Sequence, residues 1–217
     1  MLNALKMVRR TIPMRTTVSR RLAIALWAAA LAAPAASAQP PEPPLADDMV
    51  IGKARAPVTV VEYASVGCPH CAAFHIQVWP DFKAKYVDTG RVRFVYREVI
   101  AGNQDVAIGG FITARCAPKQ RYFDVVDAVY RNQPRLAAST DLKADLLTIA
   151  KTVGIRPAKF ESCISDPKAP AVIAARSQAN AEVGRVTGTP TFTVNGKKMV
   201  GAFTLENLDA AIAAAEA

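Results

Sequence analysis

A 217-residue chain that is 51% hydrophobic has the length and apolar content for one packed domain, or one domain with a large insertion, which excludes a disordered polar chain. Its formal charge of +9 points towards nucleic acid only until it is mapped: Lys6, Arg9, Arg10, Arg15, Arg20 and Arg21 all precede Ala38, where no acidic residue occurs. Without those six, 21 basic face 18 acidic side chains, a net +3 with no basic stripe interleaved by aromatics, so nucleic acid is excluded as a partner.

The basic N-terminal region runs into the apolar stretch Leu22 to Ala33 and then Ala36-Ser37-Ala38, the pattern of a secretory signal cleaved after Ala38. The apolar stretch is about 12 residues, short of the ~20 that span a bilayer. An uncleaved anchor is the plainer alternative. Ser19-Arg20-Arg21 also admits a twin-arginine route, but the following Leu-Ala-Ile fits it weakly, and general secretion is expected. Cleavage predicts a periplasmic or otherwise extracytoplasmic mature protein, in a compartment where disulfides persist. No cysteine precedes Cys68, which excludes a lipid-modified cysteine at the cleavage site.

Residues 39–48 (QPPEPPLADD) read as a proline-rich, acidic spacer without fixed structure. Met49 to Ile51 is a short apolar lead-in suited to a sheet edge. Val58 to Tyr63 then alternates as a strand, Val58, Val60 and Glu62 on one face, and Gly67 ends it. From Cys71, apolar residues recur at i+4 (Phe74, Val78, Phe82, Tyr86), which predicts a helix kinked at Pro80 and stopped at Gly90. Arg91 to Ile100 is a second strand with Val92, Phe94 and Tyr96 on one face.

From Asn103 to about Glu182 the pattern is helical throughout: 104–117, 120–132, 141–153, 157–165 and 170–183. A connection of about 80 residues is far longer than an α/β unit needs, so this stretch reads as an inserted subdomain. Thr191 to Val194 forms a strand, and Asn195-Gly196 turns into a hairpin partner, Lys197 to Val200. Leu205, Leu208 and Ile212 mark a last helix capped by Thr204. The expected organisation is a signal peptide (1–38), a linker (39–48), the two parts of an α/β domain (49–102 and 183–217), and the helical insertion (103–182).

The chemistry concentrates at Cys68-Pro69-His70-Cys71, a C-x-x-C between a strand and a helix. At a helix N-terminus the Cys68 thiolate is stabilised by free backbone N–H groups and the helix dipole, and His70 adds to this as an N–H donor or a cation. Four cysteines allow three pairings. The close pair is expected to close on itself, which leaves Cys116 with Cys163. Zinc competes for C-x-x-C, and Cys71 and His75 share a helix face, but no second C-x-x-C or H-x-x-H completes a site. His75 is then expected at the surface or at the subdomain contact. Glu62, in the strand just before the motif, is either an edge-exposed acid or a buried one, for which Arg97 on the neighbouring strand is the proposed partner. Thr189-Pro190 opens the later strand, where the residues alone favour an ordinary trans turn.

CPHC after a strand, with GTPTFTVNG much later, resembles the DsbA-like thiol:disulfide oxidoreductases of the thioredoxin-fold superfamily, from about Asp48 to the C-terminus. The resemblance implies an α/β thioredoxin fold with an inserted all-helical subdomain. It implies that Thr189-Pro190 is a cis-proline loop beside the cysteines, that Cys68 is the exposed attacking cysteine and Cys71 its buried partner, and that Glu62 helps proton transfer. Thr189 would contact the main chain of a substrate added edge-on as a strand. It further implies disulfide formation in reduced exported proteins and reoxidation by a quinone-linked membrane protein; the exchange needs no dissociable cofactor, and a monomer is expected. The Cys116 and Cys163 pair is extra to many members, and is expected to be structural. Thr189 stands where the best-known oxidases of the family carry valine, which keeps an isomerase or reductase as the alternative. A thiol metal-binding or holdase protein is the alternative of another class.

Overall fold

The structure, a computed structural model, describes residue 45 and residues 47–217. The signal-peptide reading of residues 1–38 lies outside the described residues, as does most of the spacer. Among the described residues no helix is long and apolar enough to cross a membrane.

The sheet is built around β2 (Val58–Ala64), whose run of β-branched residues is buried on both faces. β3 (Val92–Glu98) pairs parallel with it, Val60 opposite Phe94 and Glu62 opposite Tyr96. On the other side β4 (Thr191–Val194) runs antiparallel, with Val60 opposite Val194. The short strands β1 (Met49–Ile51) and β5 (Lys197–Lys198) form the edges, giving the order β1-β3-β2-β4-β5. The hairpin turn follows its residues, since Asn195 and Gly196 take φ values of 46° and 80°, as a type I′ turn requires. Its second arm ends two residues earlier than expected. At Gly201, with φ of 97°, the chain turns away, and Val200 is left 94% exposed.

Between β2 and β3 the expected helix is broken. α1 (Pro69–Gln77) ends at Val78; α2 (Trp79–Phe82) restarts with Pro80 in its first turn, where a missing N–H costs nothing, and continues as a π-helical turn over Lys83–Val87. Between β3 and β4 lie six helices: α3 (Gln104–Cys116), α4 (Tyr122–Arg131), α5 (Gln133–Ala137), α6 (Leu142–Thr152), α7 (Pro157–Ile164) and α8 (Ala169–Val183). Five match the expected helices, and α5 is additional. A final helix, α9 (Leu205–Glu216), is capped by the Thr204 hydroxyl, which accepts from the Asn207 N–H at 3.3 Å.

One face of the sheet (Val58, Val60, Phe94, Tyr96, Phe192, Val194) shares the main core with the helices, while Val61, Tyr63, Val95 and Val99 form a smaller cluster on the other. Buried Glu98 ties the insertion to the end of β3. Its Oε1 accepts from Arg115 of α3 at 2.6 Å and from the Tyr122 hydroxyl of α4 at 2.8 Å, and its main-chain carbonyl accepts from Asn180 of α8 at 2.9 Å. Arg176 Nε lies 3.2 Å from Glu98 Oε2, an ion pair by distance without the alignment of a hydrogen bond. Asp48, at the end of the stretch read as a loose spacer, is buried instead. Its carboxylate accepts from Arg97 Nε at 2.9 Å and from Arg97 Nη2 at 3.0 Å, a forked pair that fastens the start of β1.

Within the insertion a disulfide joins Cys116 of α3 to Cys163 of α7 across 47 positions. Closing a loop of that length in the unfolded chain is worth about 3 to 4 kcal/mol. Replacing both cysteines by alanine is expected to lower the unfolding free energy by about that amount. Urea titration checks this, and an unchanged midpoint would remove the bridge from the stabilising contacts.

Candidate active site

The site forms where β2 hands the chain to α1. Ser65 holds the turn: its hydroxyl accepts from the Gly67 N–H at 3.1 Å and the Ala101 N–H at 3.2 Å, and donates to the Ala101 carbonyl at 2.8 Å. The turn is packed so closely against the segment after β3 that a β-carbon at Gly67 would fall 2.2 Å from the Asn103 carbonyl oxygen. A β-carbon at Gly102 would fall 2.1 Å from the Gly67 carbonyl oxygen. Glycine is required at both positions. Cys68 is then the N-cap of α1 in extended conformation, and Pro69 supplies the preset φ of the first helical position.

Both Cys68 and Cys71 are free thiols in this structure. Cys71 is fully buried, with the Ser65 N–H directed at its sulfur at 3.5 Å. Cys68 is recessed rather than exposed, at 6% of its surface, and its Sγ lies 3.4 Å from the Thr189 carbonyl oxygen, to which it donates when protonated. The expected exposed cysteine is corrected to one reached at a rim, because the loop before β4 closes over it. The Thr189-Pro190 peptide bond in that loop is cis, against the expectation from the residues alone and in keeping with the resemblance.

The two sulfurs are driven in opposite directions. A hydrogen bond from the Cys71 thiol is the largest influence on Cys68 and, with the Thr189 side chain and the main-chain N–H groups of Cys71 and His70, outweighs burial and lowers its pKa from 9.0 to about 5. Burial pushes the Cys71 thiol far upward, and its bond to Cys68 and the Glu62 charge push it further. At neutral pH the pair therefore holds one thiolate, on Cys68, and one thiol. The influence of His70 here comes through its main-chain N–H, and its ring is exposed beside the site.

Glu62 is fully buried, which decides between its two readings, but Arg97 is not its partner. Glu62 lies opposite Tyr96 in the β2–β3 register, so Arg97 points to the other face, where it bonds Asp48 and the Tyr63 hydroxyl. The partner of Glu62 is His75, whose Nε2 is 2.8 Å from Oε2; Oε1 has no hydrogen-bond partner. His75 is thus buried, not at the surface, and stacks on Tyr130 of α4 at 4.5 Å, which does place it at the contact with the insertion. Tyr130 and Tyr96 share a hydroxyl hydrogen bond at 2.7 Å. Among the described residues no group of three or more His, Cys, Asp or Glu is arranged to hold a metal ion.

Two residues of the site carry no motif. Ser65 is one. The other is Gln133, on α5, whose Nε2 donates to the Val66 carbonyl at 2.7 Å and the Cys68 carbonyl at 3.1 Å. Beside the cysteines an open groove of about 400 Å³ is lined by His70, Phe74, Val78, Pro190, Phe203 and Thr204, apolar at its floor.

The family model described as thioredoxin matches residues 45–214. A Rickettsia conorii protein, named provisionally as a protein-disulfide oxidoreductase, is 34% identical over 76% of this chain. The match spans only 59% of that relative's length. Disulfide bond formation protein D of Bacillus subtilis is 26% identical over 72% of this chain and 71% of its own. Among solved structures, alpha-DsbA1 of Wolbachia pipientis aligns with a TM-score of 0.69 and 26% identity over 79% of this chain and 94% of its own. BdbD of Bacillus subtilis aligns at 0.72 and 21%, over 82% and 98%, a likeness of fold. With the strand, C-x-x-C, helix site in its place and six helices inserted between β3 and β4, the chain belongs to the thioredoxin family, on its DsbA-like branch of thiol:disulfide oxidoreductases.

Proposed function

We propose that the protein is an extracytoplasmic thiol oxidase that introduces disulfides into reduced exported proteins. The observation that carries this reading is the opposed tuning of the two thiols, with Cys68 lowered to about 5 and Cys71 raised. A stabilised thiolate favours the reduced pair, so the Cys68–Cys71 disulfide is a good acceptor of two electrons. A substrate thiolate attacks Cys68 of the oxidised pair, the bond to Cys71 breaks, and Cys71 leaves and takes up a proton. A second substrate thiolate then attacks the substrate sulfur of the mixed disulfide and releases Cys68 as the thiolate. The substrate has lost two electrons and two protons; the enzyme keeps the electrons and one proton, and the other proton goes to solvent.

Cys68 is the sulfur that exchanges with the substrate, attacked in the oxidised pair and attacking in the reverse direction, and Cys71 is its partner, the leaving group on oxidation of the substrate and the resolving thiol in reverse. Glu62, beside Cys71, serves the proton that Cys71 gains and loses. His70 supports the thiolate from the rim, and Thr189 and Pro190 meet the substrate main chain above the apolar groove. No dissociable cofactor enters the exchange. The residue pattern of 1–38 supplies the export signal, and resemblance supplies reoxidation by a quinone-linked membrane protein.

The test is the equilibrium of the purified protein with glutathione across pH. Between about pH 5 and neutrality, reduction should consume one proton and the potential should fall by about 30 mV per pH unit; below pH 5 it should steepen to about 59 mV. Because the folded pKa of Cys68 lies below its ordinary value, the thiolate contributes stability to the reduced protein that is complete above pH 9, declines as pH falls, and is gone below about 5. The oxidised protein has no such dependence. A potential near −120 mV at pH 7 supports the oxidase, whereas about −230 mV or lower would favour the isomerase or reductase. No redox titration of Cys68 would leave the metal-binding or holdase alternative.

A further inference from the structure

The turn that carries the nucleophile is held from below by Ser65 and from the side by the helical insertion. The second hold is a single side chain. Gln133 opens α5, is 6% exposed, and aims its amide nitrogen between two main-chain carbonyls, those of Val66 and Cys68. A primary amide has two N–H groups on one nitrogen, so it can satisfy both oxygens at once. The Cys68 carbonyl also accepts the first hydrogen bond of α1, from the Ala72 N–H at 3.1 Å. Turning that carbonyl would therefore turn the first N–H groups of the helix away from the sulfur they face. The two carbonyls carry negative partial charge close to Cys68, and hydrogen bonds from Gln133 offset it.

We propose that Gln133 is a positioning residue for the nucleophile, by which the helical insertion holds the Val66–Cys68 turn in the geometry that favours the Cys68 thiolate. The inference rests on the reading of Cys68 as the sulfur that exchanges with the substrate. Gln133 does not touch the sulfur and acts through the main chain of the turn. A thiolate exists only in the reduced protein, so this hold acts unequally on the two redox states. A brace of purely structural value would instead stabilise both alike.

The experiment measures thiolate absorbance against pH, and the glutathione equilibrium, in the purified protein and in Gln133→Met and Gln133→Glu. Methionine fills a similar space without donors. Glutamate keeps the shape while losing both amide N–H groups, and remains informative if the methionine variant does not fold. In either variant the Cys68 midpoint is expected to rise by about one pH unit, and the equilibrium to move about tenfold towards the disulfide, about 30 mV more reducing. A lower melting temperature in both redox states with midpoint and equilibrium unchanged would reduce Gln133 to a brace and overturn the inference. If the unaltered protein itself shows no thiolate below pH 8, the nucleophile assignment fails, and the inference with it.

Discussion

Cys68→Ser is expected to abolish oxidation of a reduced test peptide, leaving only the background rate of air oxidation. A hydroxyl cannot form a disulfide, so without Cys68 the substrate electrons have no acceptor at the site. Cys71 cannot take over, because it is fully buried and its thiol is held far from ionisation. The complementary change separates the roles. Cys71→Ser keeps the acidic sulfur but removes the group that resolves the mixed disulfide, so Cys68 is expected to accumulate a stable adduct with a disulfide-bearing peptide, visible as an added peptide mass. Both variants are read by alkylation and mass analysis, which follow Cys68 apart from the Cys116–Cys163 bridge. Full oxidation by Cys68→Ser, or an adduct on Cys71 in the unaltered protein, would reverse the assignment.

Glu62→Leu is expected to destabilise the protein by about 3 kcal/mol, between the cost of an orphaned buried hydrogen-bonding group and that of an orphaned buried charge. His75, enclosed by Tyr130, Trp79 and Phe74, would lose its polar partner in a place where water does not replace it. His75→Leu strands Glu62 in the same way. The double variant is expected to lose less than the two single losses combined, since removing both partners leaves nothing unpaired. Urea unfolding of the four proteins closes the cycle, and additive losses would show that the pair is not coupled. The reduced protein should also respond through Cys71: without the Glu62 charge its thiol loses one of the influences that raise it and ionises more readily.

The residues that announced themselves did so through local patterns. Cys spacing, alternating β-branched residues before it and i+4 apolar residues after it are all short-range, and they mark β2, α1 and the nucleophile. Asn195-Gly196 worked similarly. Glu62 takes His75 and not Arg97, and the strand period itself points away from Arg97. Once Phe94 and Tyr96 face the same side as Val60 and Glu62, the two-residue period puts Arg97 on the opposite side. The same reasoning recovers its true partner, because pairing Met49 with Tyr96 antiparallel brings Asp48 beside Arg97. His75 was legible as sharing a helix face with Cys71, but that spacing reads as a metal half-site unless the buried acid is known. Ser65 and Gln133 gave no signal. A serine in a turn and a glutamine beside Pro134 both read as solvated loop, and a five-residue helix is too short to show a period.

Thr189 stands 121 residues beyond the sulfur it covers, and Gln133 65 residues beyond the carbonyl it holds. The Cys-Pro-His-Cys segment therefore leaves the ribosome before either reaches it. Until β4 closes against β2, Cys68 lacks both the contribution of Thr189 to its low pKa and the loop that shields it. The full acidity of Cys68 is complete only with the last third of the chain, so it reports completed folding. An unfinished molecule meets its neighbours with a less acidic sulfur than the finished one.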